Sequence, residues 1–340
     1  MEQERQETSP AVLSLRDLTV SLPGGAGRFD IVRGVSLDLQ RGEILGLVGE
    51  SGSGKSLTLK AIMRLLPGAM QTRGSVIWKG QDVLAADAGT LRRLRGAEMS
   101  MIFQEPMTAL NPVLSIGRQI DESLKAHTAL DRRARHRRAV ELLDLVGIPS
   151  AERRLRDYPF QFSGGMRQRA MIAIALACDP QLVLADEPTT ALDVTIQDQI
   201  LQLLLRLRDE LGLSVIFVTH DLGVVSEICD RTAIMYAGEI VETGATRTVL
   251  SAPLHPYTQG LLRSMPGAAA ADGRLNAIPG QPPQPAARAP GCAFAPRCAM
   301  AGPACSVTDP VLGPVLGPIR AGHASACLRA TDLIAEGGQP

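Results

Sequence analysis

Residues 49–56 have the types and spacing of a loop that binds phosphate groups. They fit the pattern G-x-x-x-x-G-K-[ST], directly after the apolar run 44–48 and directly before a helical pattern that reaches Leu66. Glycines in such a loop let successive backbone N–H groups point at the β- and γ-phosphates, the lysine adds a positive charge, and the last hydroxyl reaches Mg²⁺. The alternative, an exposed lysine in a Gly/Ser-rich turn, does not account for the flanking strand and helix. The predicted nucleotide-binding residues are Gly49, Glu50, Ser51, Gly52, Ser53, Gly54, Lys55 and Ser56, with Ser56 also a predicted Mg²⁺ ligand.

Two acidic residues stand at the end of another apolar run, QLVLAD (181–186). A bound phosphate chain needs a carboxylate near its metal ion and a group that handles the attacking water. Asp186 is predicted to hold Mg²⁺ through water. Glu187, just beyond the strand end, is predicted to polarise the attacking water as a general base. A second interpretation stays open from these residues alone, because Pro188 follows and two acids there could simply cap a helix.

The elements that would position these residues alternate between strand and helix. Four runs are too uniformly apolar for burial on one face only and predict central parallel strands, whereas two alternating runs predict an antiparallel edge. The central runs are 44–49, 99–104, 181–186 and 214–220, and the edge runs are 12–20 and 35–39.

The clearest predicted helix follows Val194. Apolar residues recur along one face of the segment, Thr195 with Asp198 predicts a capping box at its start, and Gly212 predicts its end. The predicted fold is therefore α/β, with a mixed sheet core and an antiparallel β edge.

Composition and charge exclude several classes of partner and location. Lys plus Arg and Asp plus Glu are balanced at 35 each, so no nucleic-acid partner is predicted. The longest apolar stretch, 170–178, is far shorter than the ~20 residues of a spanning helix. The charged opening MEQERQETSP lacks the apolar centre of a secretory signal, which predicts a cytoplasmic chain whose membrane role depends on partners. The arginine-rich run 131–140 is interpreted as a solvated helix face.

Changes in pattern along the chain predict its domain organisation. Residues 1–253 are predicted to form the catalytic domain, with a helical subdomain over about 105–161. Residues 254–340 are predicted to form a C-terminal extension, because periodicity fades there and the stretch 279–291 is rich in Pro, Gly and Ala.

A third motif gives the first two a more specific meaning. Together with FSGGMRQR (162–169), the phosphate-binding loop and the acidic pair resemble the ABC ATPase family. In that family a serine and a Gly-Gly backbone at a helix N-terminus bind the γ-phosphate that the opposite subunit's loop holds, which implies this role for Ser163, Gly164 and Gly165. The resemblance implies ATP as the substrate and three further positions. These are Gln104 as the Q-loop residue, both catalytic and an Mg²⁺ ligand, Asp193 in the D-loop Ala191-Leu192-Asp193, and His220 as the switch histidine that contacts the γ-phosphate and partners Glu187.

Two positions differ from that family's usual pattern. An aromatic ring that stacks on adenine usually lies near the first strand, where this chain has Leu22, and Phe29 is the nearest aromatic residue. Phe160 precedes the signature where the relatives commonly carry histidine, a change that affects no catalytic role.

Longer phrases are similar to the ATPases that import dipeptides, oligopeptides and nickel. This resemblance implies two ATPase subunits, identical or different, paired head to tail beneath two membrane permease subunits at the cytoplasmic face of a bacterial inner membrane. A binding protein outside the membrane would deliver the substrate, and residues 104–112 would meet the coupling helix of a permease. The phrases are GESGSGKS (49–56), FQEPMTALNP (103–112), FSGGMRQR (162–169), ADEPTTALDVTIQ (185–197), VTHDLGVV (218–225) and HPYTQGLLRSMP (255–266).

Several alternatives remain at this point. The cargo could be dipeptides, longer peptides, glutathione or nickel, because the substrate does not touch this subunit. A soluble ABC ATPase of DNA repair or translation would usually carry two ATPase cores or a long coiled-coil insertion, and neither occurs here. A kinase or GTPase with the same loop has no use for FSGGMRQR.

Four cysteines crowd into the C-terminal extension: Cys292, Cys298, Cys305 and Cys327. Their spacing does not fit the paired C-x2-C of zinc ribbons, whereas four thiolates satisfy an iron-sulfur cluster. The segment GCAFAPRCAMAGPAC resembles the C-terminal part of the peptide-import ATPases, some of which carry a 4Fe-4S centre there. A cluster, a zinc site and unligated buried cysteines all remain open, with His323 as a spare ligand.

Overall fold

A computed structural model of the chain describes residues 11–25, 27–190, 192–265, 277–314 and 322–335. Its strands are β1 (Leu13–Gly24), β2 (Gly27–Leu39), β3 (Ile44–Val48), β4 (Gln71–Trp78), β5 (Gln81–Asp82), β6 (Met99–Ile102), β7 (Leu182–Asp186), β8 (Ser214–Thr219), β9 (Arg231–Tyr236), β10 (Glu239–Ala245), β11 (Gly313–Pro314) and β12 (Ala324–Ser325). Its helices are α1 (Lys55–Ile62), α2 (Ala88–Arg93), α3 (Pro106–Ala109), α4 (Ile116–His127), α5 (Arg132–Leu145), α6 (Ala151–Arg154), α7 (Gly164–Ala175), α8 (Val194–Leu211), α9 (Leu222–Ile228), α10 (Thr246–Ser251), α11 (Pro256–Arg263) and α12 (Ala330–Ala335).

The chain divides into two compact units, which are described separately. Unit 1 is Met1–Val12, Leu39–Glu43 and Gln81–Phe217, and unit 2 is Leu13–Asp38, Ile44–Gly80 and Val218–Pro340, each within the described residues. In unit 1 the strand order is β8-β7-β6, and β6 and β7 run parallel with Met99 opposite Leu182. These strands are buried along their whole length, as predicted for a parallel core.

Unit 2 combines parallel and antiparallel pairing. Its strands follow the order β11-β12-β10-β9-β3, in which β3 and β9 are parallel and β9 and β10 antiparallel. A second sheet has the order β2-β1-β4, and β1 pairs antiparallel with β4 from Leu13 opposite Trp78. The predicted α/β fold with a mixed sheet and an antiparallel edge is thus confirmed.

Helix α8 ends as predicted, but it begins at Val194 and its cap differs from the prediction. Gly212 adopts a left-handed conformation, φ 66°, directly after the helix, which glycine tolerates without cost. At the start, the Oδ1 atom of Asp193 accepts a hydrogen bond from the Ile196 N–H at 3.0 Å. The predicted capping box of Thr195 and Asp198 is wrong, because Asp193 lies one residue before the first helical residue, where the orphan N–H groups are within its reach.

Helices α3 to α6 lie within the predicted helical subdomain, 105–161. The arginine-rich helix α5 buries Ala139, Leu142 and Leu143, while Arg132, Arg133 and Arg137 are exposed. The run 131–140 is therefore a solvated helix face, as predicted. The predicted domain boundary near residue 253 stays a prediction. Within the described ranges, no helix combines the length and apolar content that crossing a membrane would require.

Candidate nucleotide site

The phosphate-binding loop connects β3 to α1 in unit 2, in the strand-to-helix setting that the sequence predicts. Its lysine, Lys55, is only 5% exposed and donates hydrogen bonds from Nζ to the backbone oxygens of Gly49, at 2.6 Å, and Glu50, at 3.0 Å. A buried ammonium group needs such partners because burial without them is expensive. The loop therefore curls around a fixed positive charge.

Two glycines of the loop have no room for a side chain. A Cβ atom on Gly49 would lie 2.1 Å from the backbone oxygen of Met235. Gly54, with φ +108°, would place a Cβ 2.8 Å from the Met235 side chain, in a backbone conformation that L-residues rarely adopt. The first and last glycines of the motif are thus required by the close approach of β9.

The loop also holds polar groups that fit a phosphate ligand. Ser53 is 5% exposed, and its Oγ atom has no hydrogen-bond partner within the described residues. A buried hydroxyl without a partner is uncommon and costly, and a phosphate oxygen would accept a hydrogen bond from it. At the start of α1, Gly54 provides no side-chain cap for the first N–H groups of the helix. Ser51 and Gly52 are exposed and Ser56 is half-buried. A triphosphate fits these residues.

Glu50 is a loop residue whose side chain pairs with a residue outside the loop. Its carboxylate is paired with Arg297 of the C-terminal extension, at 2.7 and 3.0 Å. Its backbone N–H donates to the Tyr257 hydroxyl at 2.8 Å. The sequence predicted Glu50 as a nucleotide contact and gave no sign of either partner.

The acidic pair and Gln104 lie in unit 1, after the carboxyl ends of the neighbouring strands β7 and β6. Gln104 Nε2 lies 3.4 Å from Glu187 Oε2, so these two predicted residues are brought together. Glu187 has φ 46°, a left-handed conformation that non-glycine residues adopt uncommonly. Asp186 is 4% exposed at the end of β7.

Thr190 is a residue of this site that sequence reasoning missed. Its hydroxyl donates to Glu187 Oε2 at 2.8 Å, the same oxygen that faces Gln104. The spacing of three residues from Glu187 was the available signal, since that spacing closes one turn. Thr190 fixes the orientation of the carboxylate.

The signature residues form the beginning of α7 in unit 1. Ser163 is the N-cap, and its Oγ accepts from the Met166 N–H at 3.3 Å. Ser163 and Gly164 are exposed. A Cβ on Gly165 would lie 2.8 Å from Ile196 Cγ2, so Gly165 permits close packing of α7 on α8. The predicted contact with a γ-phosphate stays a prediction.

The other residues predicted from the family resemblance, where described, have exposed or half-buried side chains. His220 is exposed directly after β8, and Asp193 is exposed while it caps α8. Ala191 of the predicted D-loop lies outside the described residues. Phe29 is half-buried beside Gly24, and Phe160 is 66% exposed and stacks on Tyr158 at 5.7 Å. The adenine contact and the role of His220 stay predictions.

Cys292, Cys298, Cys305 and Cys327 line one cavity together with Phe294. All four are free thiols, and burial raises the pKa of Cys292 and of Cys298, and that of Cys327 to about 11. In the part of the chain that is described, no three His, Cys, Asp or Glu residues stand in an arrangement that could hold a metal ion. In this arrangement the thiols do not fit an iron-sulfur cluster, and the predicted centre is not confirmed.

His323, predicted as a spare metal ligand, has a carboxylate partner on β10, and its role as a ligand stays a prediction. Its Nε2 lies 2.7 Å from Glu242 Oε1, with both side chains buried. Glu242 also accepts from the backbone N–H groups of Leu254, at 2.6 Å, and His255, at 3.0 Å. His323 thus ties the end of the extension to β10.

A loop of this construction, wrapped around a buried lysine between a strand and a helix, defines a P-loop nucleotide-binding protein. Residues 32–190 match the ABC transporter family, and residues 241–305 match the oligopeptide/dipeptide transporter C-terminal region. The chain belongs to the ATP-binding proteins of ABC transporters.

Individual relatives agree with this assignment. The oligopeptide transport ATP-binding protein OppD of Bacillus subtilis (strain 168) is 49% identical over 293 residues, which cover 85% of this chain and 82% of the relative. A Brucella abortus (strain 2308) ATP-binding protein named for peptide import is 49% identical over 322 residues, 94% of this chain and 95% of the relative. A dimeric structure of the ATP-binding cassette MJ0796 in a post-hydrolysis state, bound to ADP and Pi, is similar with a TM-score of 0.62 and 31% identity, covering 69% of this chain and 99% of that one.

Proposed function

We propose that this chain is the ATP-hydrolysing subunit of an ABC importer that takes up di- or oligopeptides. The observation that carries the proposal is the presence, in one chain, of a loop curled around Lys55 and a segment that matches the oligopeptide/dipeptide transporter C-terminal region. The importer would use the free energy of ATP binding and hydrolysis to drive uptake. Relatives named for peptide import support peptides as the cargo over nickel or glutathione, and they equally oppose a soluble ABC ATPase.

The proposed reaction is transfer of the γ-phosphoryl group of ATP to water. Lys55 and the Ser53 hydroxyl would bind the phosphates, and Ser56, Asp186 and Gln104 would hold Mg²⁺. When bound, Mg²⁺ would neutralise charge on the phosphate oxygens. Glu187 Oε2 would accept a proton from the attacking water. The water oxygen would bond to the γ-phosphorus while the bond from that phosphorus to the β-γ bridging oxygen breaks. Thr190 and Gln104, which both face Oε2, would orient that carboxylate.

The proposed assembly contains a second ATPase subunit and two membrane permeases, with a substrate-binding protein on the outer side. The chain would lie peripherally on the cytoplasmic face of the inner membrane. The exposed Ser163 and Gly164 support a head-to-tail dimer, because a helix N-terminus open to solvent can accept a phosphate held by another chain. Asp193 would lie in that interface, and His220 would contact the γ-phosphate beside Glu187.

Reconstitution tests the transport proposal. The chain is assembled with its permeases and second ATPase subunit in liposomes, and ATP hydrolysis and uptake are measured with the binding protein and peptides, with Lys55→Ala as the inactive control. Peptide-dependent stimulation of both activities is expected. Stimulation by nickel or glutathione but not by peptides would contradict the cargo, and an ATPase that never copurifies with permeases would contradict the transporter.

A metal centre in the extension is a separate proposal with its own test. Four thiols around one cavity support it, and their present arrangement opposes it. Anaerobically purified protein with about four irons per chain and broad visible absorption would establish a 4Fe-4S cluster. Stoichiometric zinc, or protein free of both metals, would replace that proposal by a zinc site or by unligated cysteines.

A further inference from the structure

Arg297 of the C-terminal extension forms an ion pair with a residue of the phosphate-binding loop. Arg297 donates from Nη1 to Glu50 Oε2 at 2.7 Å and from Nη2 to Glu50 Oε1 at 3.0 Å. Two parallel bonds of this kind are the strongest and most directional form of an Arg–carboxylate pair. The Arg297 side chain is 4% exposed and that of Glu50 is 27% exposed, so water reaches the pair only from the carboxylate side.

The guanidinium group of Arg297 is itself fixed from behind. Its Nε donates to the Pro279 backbone oxygen at 2.9 Å. Its Cζ atom lies 5.8 Å from the ring centre of Tyr236 and 5.9 Å from that of Phe294. These contacts leave the group one orientation, with its fork directed at Glu50. Arg297 is therefore preorganised for the loop rather than drawn to it by charge alone.

A second contact holds the same loop residue through its backbone. The Tyr257 hydroxyl accepts the Glu50 N–H at 2.8 Å, and Tyr257 is completely buried against Tyr236, with ring centres 4.6 Å apart. Both ends of Glu50 are thus held by groups outside the loop. The direction of its side chain and the course of its backbone are set together.

The electrostatic consequence concerns the phosphates. A loop that binds a polyanion carries a carboxylate of its own at Glu50, and an unpaired carboxylate there would repel the ligand. Arg297 cancels that charge and holds the carboxylate in place. The hydrogen bond to Glu50 also raises the pKa of Arg297, so this guanidinium group keeps its positive charge at physiological pH.

We propose that Arg297 is a positioning residue of the nucleotide site: by holding and neutralising Glu50 it keeps the loop in its ATP-binding form, so that the C-terminal extension contributes to ATP affinity. The inference rests on the proposed binding of ATP at this loop. Arg297 directly precedes Cys298, one of the four cysteines that line one cavity. The ion pair therefore also ties the cysteine-containing segment to the loop.

The test compares ATP affinity in variants of the full-length purified chain, with a fluorescent ATP analogue and Mg²⁺ as the probe. Arg297→Gln is expected to weaken binding about tenfold, because it exposes the phosphates to the Glu50 charge. The double variant Glu50→Gln with Arg297→Gln is expected to bind within about threefold of the wild type, because the repelling charge is gone. In the assembled transporter, Arg297→Gln should raise the KM for ATP and leave kcat nearly unchanged.

Arg288→Gln is the matched control. Arg288 lies in the same extension and is similarly buried; its Nη1 lies 2.7 Å from Glu239 Oε1 and its Nη2 donates to Glu239 Oε2 at 2.8 Å. It lines a cavity with loop residues 50–53, but its carboxylate partner, Glu239, is not a loop residue. Arg288→Gln should lower thermal stability without changing ATP affinity. If Arg297→Gln binds ATP as well as Arg288→Gln does, or if the double variant binds no better than Arg297→Gln, the inference is overturned.

Two further measurements keep the result interpretable. Should Arg297→Gln fail to fold, Arg297→Lys keeps the charge but loses the fork, and affinity between that of the wild type and about tenfold weaker is expected. An Arg297→Lys chain that folds and binds ATP like the wild type would overturn the role of the bidentate contact. Failure of the proposed function has another signature, since the wild type and Lys55→Ala would then show equally little ATP binding.

Discussion

The phosphate-binding loop and the signature helix are built in opposite ways. The loop is closed: Lys55 and Ser53 are each 5% exposed, and Glu50 is held from two sides. The signature region is open: Ser163 and Gly164 lie on the surface, and Phe160 before it is 66% exposed. One region encloses its polar groups, whereas the other presents an exposed helix N-terminus. The proposed site, shared between two subunits, would require this contrast.

The largest expected effect concerns the carboxylate next to Gln104 and Thr190. Glu187→Gln keeps the shape and removes the base, so ATP hydrolysis should fall about 1,000-fold while ATP binding is retained. Steady-state hydrolysis by the assembled transporter measures the first, and trapping of a closed ATP-bound dimer in gel filtration measures the second. Thr190→Val, which removes only the hydroxyl on Glu187 Oε2, is the matched milder variant. Near-normal hydrolysis by Glu187→Gln would refute the general base.

The second prediction tests the closed character of the loop. Lys55→Ala removes the charge that the loop surrounds, and ATP affinity should fall about 100-fold. Equilibrium binding of a fluorescent ATP analogue measures the change, with circular dichroism to show that the fold is kept. Unchanged affinity would mean that the lysine is structural and that the loop is not the phosphate site.

The third prediction tests the open character of the signature helix. Diluting the purified subunit should lower its specific ATPase activity about tenfold, because each loop needs the Ser163 of another chain to stabilise the γ-phosphate. Ser163→Ala should abolish the concentration dependence and leave ATP binding by the single chain unchanged. Full turnover that does not depend on concentration would show that one chain is sufficient and would remove the basis of the comparison.

The smallest expected effect concerns the pH dependence of the free energy of unfolding. It depends on His255, which lies behind the loop and contacts Tyr257. Burial lowers the pKa of His255 to about 3, and its Nδ1 accepts the N–H of Tyr257 at 3.1 Å, which requires an unprotonated nitrogen. The folded pKa lies below the usual value of about 6.5, so the stabilisation is present above pH 6.5 and is lost as the pH falls from 6.5 toward 3. Unfolding in urea should show this loss, at most about 1.4 kcal/mol per pH unit.

His255→Asn provides the control for this pH dependence. The amide oxygen can accept the Tyr257 N–H but does not titrate, so the acid sensitivity of the unfolding midpoint should decrease. An identical pH profile in the variant would assign the sensitivity to other groups.

Local features were predictable from the sequence and distant ones were not. The loop, the central strands and the end of α8 follow from short patterns, because each depends on neighbours within a few residues. Strands β4 and β9 were missed, since β4 begins with the polar residues QTRG and β9 is a six-residue run beside a turn. The cap of α8 was misassigned by two residues, which is the usual uncertainty at helix ends.

Several contacts of the C-terminal extension join residues far apart in the sequence. Glu50 and Arg297 are separated by 247 positions, and Glu242 and His323 by 81, so no local pattern links them. The four cysteines illustrate the reverse case: their crowding in the sequence correctly indicated a shared location, but the metal inferred from it needs a geometry that the thiols do not show. Proximity was predictable, and coordination was not.

The Arg297–Glu50 ion pair limits which related subunits can be joined into a stable chimera. Consider a chimera that joins the first 250 residues of one relative to the C-terminal extension of another. Its phosphate-binding loop and signature helix stay intact, but position 50 comes from one parent and position 297 from the other. Where a parent carries other residues at positions 50 or 297, the hybrid would bury one charge without its complement. When the parents differ at these positions, exchanging the extension preserves the ion pair only if residue 50 is exchanged with it.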